Sequence, residues 1–163
     1  MYPVAVLVER DLQPLDADQL VALHEGLEEQ VVYHLVRPVQ SSSALIAASL
    51  GGIGPGVTVP TLHPETVESV QHDLHAEAHD AIETSLSLLA ERGQEAHATL
   101  TEDDPVDALA DLVAAVGAAE AIVLTEPHVV REFLHLDWTS QAKRRLDVPT
   151  LHLLEHVPFS GQA

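Results

Sequence analysis

Short apolar runs separated by stretches of helical periodicity constrain this chain more than any other feature. Val4-Ala5-Val6-Leu7-Val8, Val31–Val36 and Ala121–Leu124 are too short for core helices and rich in β-branched residues. Each reads as a buried strand. Ala96–Leu100 alternates in the manner of a strand, and Pro149–Leu154 supplies a fifth. Between them lie helical patterns. Asp16 or Asp18 is placed to cap a helix carrying Leu20, Leu23 and Leu27. Pro64 to Arg92 repeats Val67, Val70, Leu74, Ala78, Ala81, Ser85 and Leu89 on one face, with Gly93 closing it. Asp104-Pro105-Val106-Asp107 combines a cap, a first-turn proline and an acidic residue at the positive end of the helix dipole. That helix buries Val106, Leu109, Val113 and Val116 and stops at Gly117. A fourth helix is predicted near Thr139–Leu146. Strict alternation of this kind predicts one three-layer α/β domain over residues 1–157, with a mainly parallel five-stranded sheet. Residues 158–163 form a short tail.

Residues from about 40 to 64 break the rhythm. Ser41-Ser42-Ser43 and Gly51-Gly52-Ile53-Gly54-Pro55-Gly56 mark an irregular connection, with Ala44–Leu50 as a possible short helix inside it. The glycine spacing matches neither a dinucleotide fingerprint nor a phosphate-binding P-loop, so the segment reads as a surface loop.

Composition narrows the function classes. The chain has 163 residues, with 26 Asp and Glu against 7 Lys and Arg, and 46% hydrophobic residues. It has enough apolar material for a core, but no basic stripe for nucleic acid and no attraction to an anionic membrane surface. Cysteine is absent, which removes disulfides, thiolate nucleophiles and Cys-type metal sites. Met1-Tyr2-Pro3-Val4 is not a basic region leading into an apolar one, so a cytoplasmic protein is expected. No Gly-x-Ser-x-Gly elbow occurs, and no pair of carboxylates stands out as acid and base. A non-enzymatic role is the expectation.

Between about Glu65 and His156 the order of segments carries a resemblance. The long helix ends in Glu91-Arg92-Gly93. A strand follows, then Asp104-Pro105-Val106-Asp107-Ala108-Leu109, Ala119-Glu120-Ala121-Ile122-Val123-Leu124 and Asp147-Val148-Pro149-Thr150-Leu151. In this order and at these separations the chain resembles the universal stress protein family. The resemblance implies a flavodoxin-like, Rossmann-like sheet of order 3-2-1-4-5, a stress-response role and homodimers paired through the last strand, here about residues 148–156. Nucleotide-binding members carry Gly-x2-Gly-x9-Gly-Ser/Thr after the fourth strand, because glycine lets the backbone approach phosphates and a hydroxyl completes the cradle. Here those positions fall on Thr125, His128, Trp138 and Thr139. The hydroxyl is kept and all three glycines are replaced. Glu9 matches the acidic residue that ends the first strand in such members. The resemblance therefore implies a divergent member without the usual ATP site and without a cofactor. The alternative is an AMP- or ATP-binding protein whose atypical loop uses Thr125, Thr139 and Ser140.

Ligands of open α/β sheets bind beyond the carboxyl ends of the strands. Arg10, Arg37 and Arg131 follow the first, second and fourth strands, and together they form a candidate site for a small anion. The plainer reading pairs each with a local carboxylate. Lys143, Arg144 and Arg145 belong to the opposite rim, in the last turn of a helix. Of 11 histidines, His72, His75 and His79 form one stripe on the long helix, between Glu68 and Glu83. The spacing of His75 and His79 suits a shared divalent ion such as zinc. A solvated polar face explains the stripe as well. His152 and His156 are placed two strand periods apart on one face, where protonation would bias association of the last strand.

Overall fold

The computed structural model describes residues 1–39, 64–125, 136–158 and 160. Among the described residues strands and helices alternate: β1 (Tyr2–Val8), α1 (Pro14–Leu23), β2 (Val31–Pro38), α2 (Pro64–Glu91), β3 (Glu95–Thr101), α3 (Pro105–Val116), β4 (Glu120–Thr125), α4 (Leu136–Arg145) and β5 (Thr150–Leu154). The sheet runs β3-β2-β1-β4-β5, and all four strand pairs are parallel. The order and the parallel sense agree with the expected flavodoxin-like arrangement. The short helix expected at Ala44–Leu50, the irregular loop around it and most of the connection after β4 lie outside the described residues.

β1 is the central strand, and Val4 to Val8 are fully buried. Val4, Val6 and Val8 pack with Leu20 of α1 and Leu89 of α2 on one face. Ala5 and Leu7 pack with Val106 and Leu109 of α3 and Ala142 of α4 on the other. A sheet covered on both faces needs apolar residues at successive positions, which is why β1 and β4 read as continuous runs rather than alternating ones. Burying each Val or Leu this way contributes about 1.5–3 kcal/mol. Among the described residues no helix is long and apolar enough to cross a membrane.

The amino end of the sheet is closed by a polar cluster. His24 is buried at the end of α1. Its Nδ1 lies 2.7 Å from the Leu20 carbonyl and its Nε2 meets a Glu120 carboxylate oxygen. Tyr33 donates its hydroxyl to the same Leu20 carbonyl at 2.9 Å. Burial, then the Glu120 charge, pushes the Tyr33 phenol up.

Three expectations need correction. α1 begins at Pro14, and Asp16 sits inside its first turn, accepting the Gln13 N–H at 2.9 Å; neither Asp16 nor Asp18 occupies the cap position. The helix also stops at Leu23, because the chain turns through Gly26 at φ +95°. Leu23 and Leu27 are consequently exposed rather than continuing the buried stripe. Finally, His152 and His156 do not share a face. β5 ends at Leu154, and His156 turns away with φ +59°.

Candidate functional site

Parallel strands bring all their carboxyl ends to one rim. The chain leaves β1 toward β2 and leaves β4 toward β5, in opposite directions from adjacent strands, so a crevice opens between the two ends. The residues after β1 form one side of it. The Glu9 and Arg10 N–H groups both donate to Glu155 Oε1, at 3.0 and 3.1 Å, and the Glu9 N–H is shared with the Leu124 carbonyl at 3.3 Å. Leu12 N–H donates to Ser85 Oγ at 2.9 Å, which ties the same loop to α2. Glu155 is fully buried. Burial pushes its carboxyl up to about 8, and the neighbouring Glu9 and Asp16 charges add to the rise, against the two amides that lower it.

Beside this point lies a cleft of about 490 Å³, lined by Glu9, Arg10 and Asp11 after β1, by Arg37 at the end of β2, and by Leu74 and Glu77 of α2 among others. Arg37 occupies the penultimate position of β2 itself, since the strand continues to Pro38. Burial pushes its guanidinium down, and the Glu77, Asp11 and Glu155 charges oppose that shift. Its Nε is buried with no hydrogen-bond partner among the described residues. Arg10 and Arg37 thus line one cleft, but Glu9, Asp11, Glu77 and Asp80 line it too. Carboxylates outnumber guanidiniums there, so the lining has no net attraction for a polyphosphate. A similar depression of about 510 Å³ lies at the amino end, beside His24 and Arg92; the carboxyl rim is where this sheet topology gathers loop residues.

The remaining candidates divide by position. Thr125 is fully buried at the end of β4, and its hydroxyl is hydrogen-bonded to His152 Nε2 at 2.7 Å. Burial, and then Lys143, push the His152 imidazole down. Ser140 is exposed on α4. Trp138 and Thr139 belong to α4, but their side chains lie outside the described set, as do His128 and Arg131 entirely. His72 and His79 are exposed on α2, while His75 turns to Glu102 of the segment after β3. Among the described residues no three His, Cys, Asp or Glu side chains are grouped to hold a metal ion. Arg145, in the last turn of α4, pairs with Asp107 in the first turn of α3.

Sequence reasoning passed over Glu155, Asp11 and Glu77 as site residues, and it took Asp16 only as a helix cap. Glu155 was open to detection: it follows Leu153 by one strand period, and Leu153 faces the core. A carboxylate at that place in the pattern is a buried charge that needs a reason. Asp16 gave no such signal, because its partner comes from the far end of the chain. The sequence assigns His34 and His97 to no constellation. They are register partners on β2 and β3, with ring centroids 5.3 Å apart.

No family model matches the sequence, and no curated protein matches it. Solved structures do match in fold. A universal stress protein from Archaeoglobus fulgidus in complex with dAMP is 14% identical, with 93% of this chain and 97% of that one covered and a TM-score of 0.52. A universal stress protein family protein from Arabidopsis thaliana with AMP bound is 12% identical, covering 96% and 94%, with a TM-score of 0.58. The hypothetical protein MJ0577 is 13% identical, covering 93% and 95%, with a TM-score of 0.62. The likeness runs the length of the chain and is one of fold.

Proposed function

We propose that this chain is a divergent universal stress protein: a cytoplasmic, non-catalytic homodimer that serves as a regulatory binding module and has lost the usual ATP site. The family half of this reading is supported by the shared fold over more than nine-tenths of the chain together with the segment order described above. The loss of the ATP site is carried by one observation, the Glu155 carboxylate seated on the Glu9 and Arg10 amides at the divergence of β1 and β4. An anionic ligand approaching those amides finds them occupied by an acceptor. The surrounding Glu9, Asp11, Glu77 and Asp80 repel it further. Thr125, at the position of the first motif glycine, is β-branched, buried and already bonded to His152. A small ligand of mixed or neutral polarity suits the cleft better than a nucleotide triphosphate does. Calorimetry with ATP at millimolar concentration tests the loss: no binding heat is expected, and saturable binding overturns it.

A second reading keeps the nucleotide. It is favoured by the AMP and dAMP present in two structures of the same fold, and it assigns the phosphates to Thr125, Thr139 and Ser140. A His128→Gly, Trp138→Gly double variant that gains AMP binding over a non-binding wild type identifies those side chains as the obstruction in an ancestral site.

A further inference from the structure

Residues 155–157 follow β5 and are fixed from three sides. The Glu155 N–H donates to the Thr125 carbonyl at 2.8 Å, while the Glu155 side chain reaches across to the Glu9 and Arg10 amides. His156 adopts a left-handed backbone at φ +59°, a conformation that non-glycine residues hold only when their surroundings impose it. What imposes it is Asp16 of α1, itself fully buried. Asp16 Oδ1 accepts the His156 N–H at 2.6 Å, and Oδ2 accepts from the imidazole Nδ1 at 2.7 Å. Gln19, one helical turn on, donates its Nε2 to the Val157 carbonyl at 2.7 Å. Glu155 Oε2 has no hydrogen-bond partner among the described residues. The segment is therefore pinned at both ends around one carboxyl group that is only half satisfied.

We propose that Glu155–Val157 is a releasable latch that fixes the Glu9–Asp11 loop, and through it the cleft shared with Arg37, and that gain or loss of a proton at Glu155 closes or opens it. The loop's backbone is held by the latch, while its side chains line the cleft. Glu155 is thus a positioning residue for that site. Among the described residues, the charges acting on it are Glu9 from the loop, Asp16 from α1 and Arg37 from β2, while Arg10 meets it through its backbone N–H. When Glu155 is protonated, the closed latch carries no buried charge at this point. When Glu155 is ionised, a full negative charge stands beside Glu9 and Asp16, with one oxygen unpartnered among the described residues. The carboxyl is raised from its ordinary 4.5 to about 8 in the closed form. The closed latch is therefore favoured on the acid side, weakens as pH rises above the ordinary value, and is fully weakened once pH passes about 8. The latch regulates the cleft read above as a ligand site, and it is testable with no ligand present.

Amide-resolved NMR on the full chain, titrated through the Glu155 midpoint, tests this directly. In the wild type the Glu9 and Arg10 amide resonances should titrate together with a midpoint near 8. Protection of those amides and of His156, corrected for base catalysis of exchange, should fall by about tenfold or more on the alkaline side. Glu155→Gln, which keeps the shape and an acceptor oxygen, should abolish both changes. His156→Ala leaves Glu155 in place and loosens only the Asp16 anchor. It should accelerate exchange at Glu9 and Arg10 as well, because the latch moves as a unit. Flat Glu9 and Arg10 resonances in the wild type, or the same titration in Glu155→Gln, remove Glu155 as the switch. Wild-type exchange rates at Glu9 and Arg10 in His156→Ala show that the segment is not one latch. If Glu155→Gln does not fold, the wild-type titration and His156→Ala still decide. Failure to bind any nucleotide leaves all these readouts untouched.

Discussion

Tyr33 and Glu155 are buried acids at opposite ends of the sheet, and burial gives both the same sign of pH dependence. Each holds its proton more tightly folded than unfolded, so each contributes stability that fades as pH rises. For Glu155 the window runs from the ordinary 4.5 to about 8. The wild type is expected to lose a few kcal/mol across it relative to Glu155→Gln, measured by urea unfolding at the two ends of the window. For Tyr33 the loss begins above its ordinary 10.0. Tyr33→Phe should lower neutral-pH stability by about 1 kcal/mol, since one hydroxyl bond to Leu20 is removed while His24 Nδ1 still serves that carbonyl. The same variant should show a shallower decline above pH 10.0 than the wild type, a slope that far-UV circular dichroism would record. An unchanged alkaline slope would sink the assignment to Tyr33.

Helices differ in how much of their geometry is written locally. α3 was legible because its signals sit within its own residues. Asp104 caps it, accepting from the Val106 and Asp107 amides at 3.0 and 3.1 Å, and Gly117 ends it at φ +60°. Asp104→Ala should therefore cost about 1 kcal/mol of stability in chemical denaturation. α1 was legible only in part. Its start is set by Pro14 and by Asp16 reaching back to Gln13, yet Asp16 is equally committed to His156, 140 residues away. Local capping rules hold no information about that partner. The same limit explains the site. Arg10 and Arg37 could be assigned to one rim because strand order dictates it. Asp11 and Glu77 entered only when the fold brought the β1 loop and α2 together, and the pattern that marks Glu155 as buried says nothing of the Glu9 and Arg10 amides it meets. His152 and His156 were misjudged because strand periodicity was carried past Leu154, where a left-handed residue ends it.

Charge and edge pairing belong to the whole molecule. A formal −19 is spread over a compact body, so self-repulsion opposes folding and added salt relieves it. The melting temperature should rise with sodium chloride, and a Tm independent of salt would mean the charges are already compensated in pairs. β5 closes one edge of the sheet, with Leu151 exposed on it. Pairing of that edge with a second copy is the proposed dimer. Leu151→Arg should convert dimer to monomer in light scattering, and an unchanged dimer mass would place the interface elsewhere. The path of the chain adds a temporal constraint. β1 precedes the other described strands of the sheet in the chain, yet its partner on one side is β4, and the carboxylate that fastens its outgoing loop stands 145 and 146 residues downstream of the amides it binds. Such distant contacts slow folding. The nascent strand must therefore wait with one edge open until β4, Glu120–Thr125, has been synthesised. Its dependence on folding helpers should be greatest before β4 emerges, and the centre of the sheet, begun with β1, is completed only when β4 arrives.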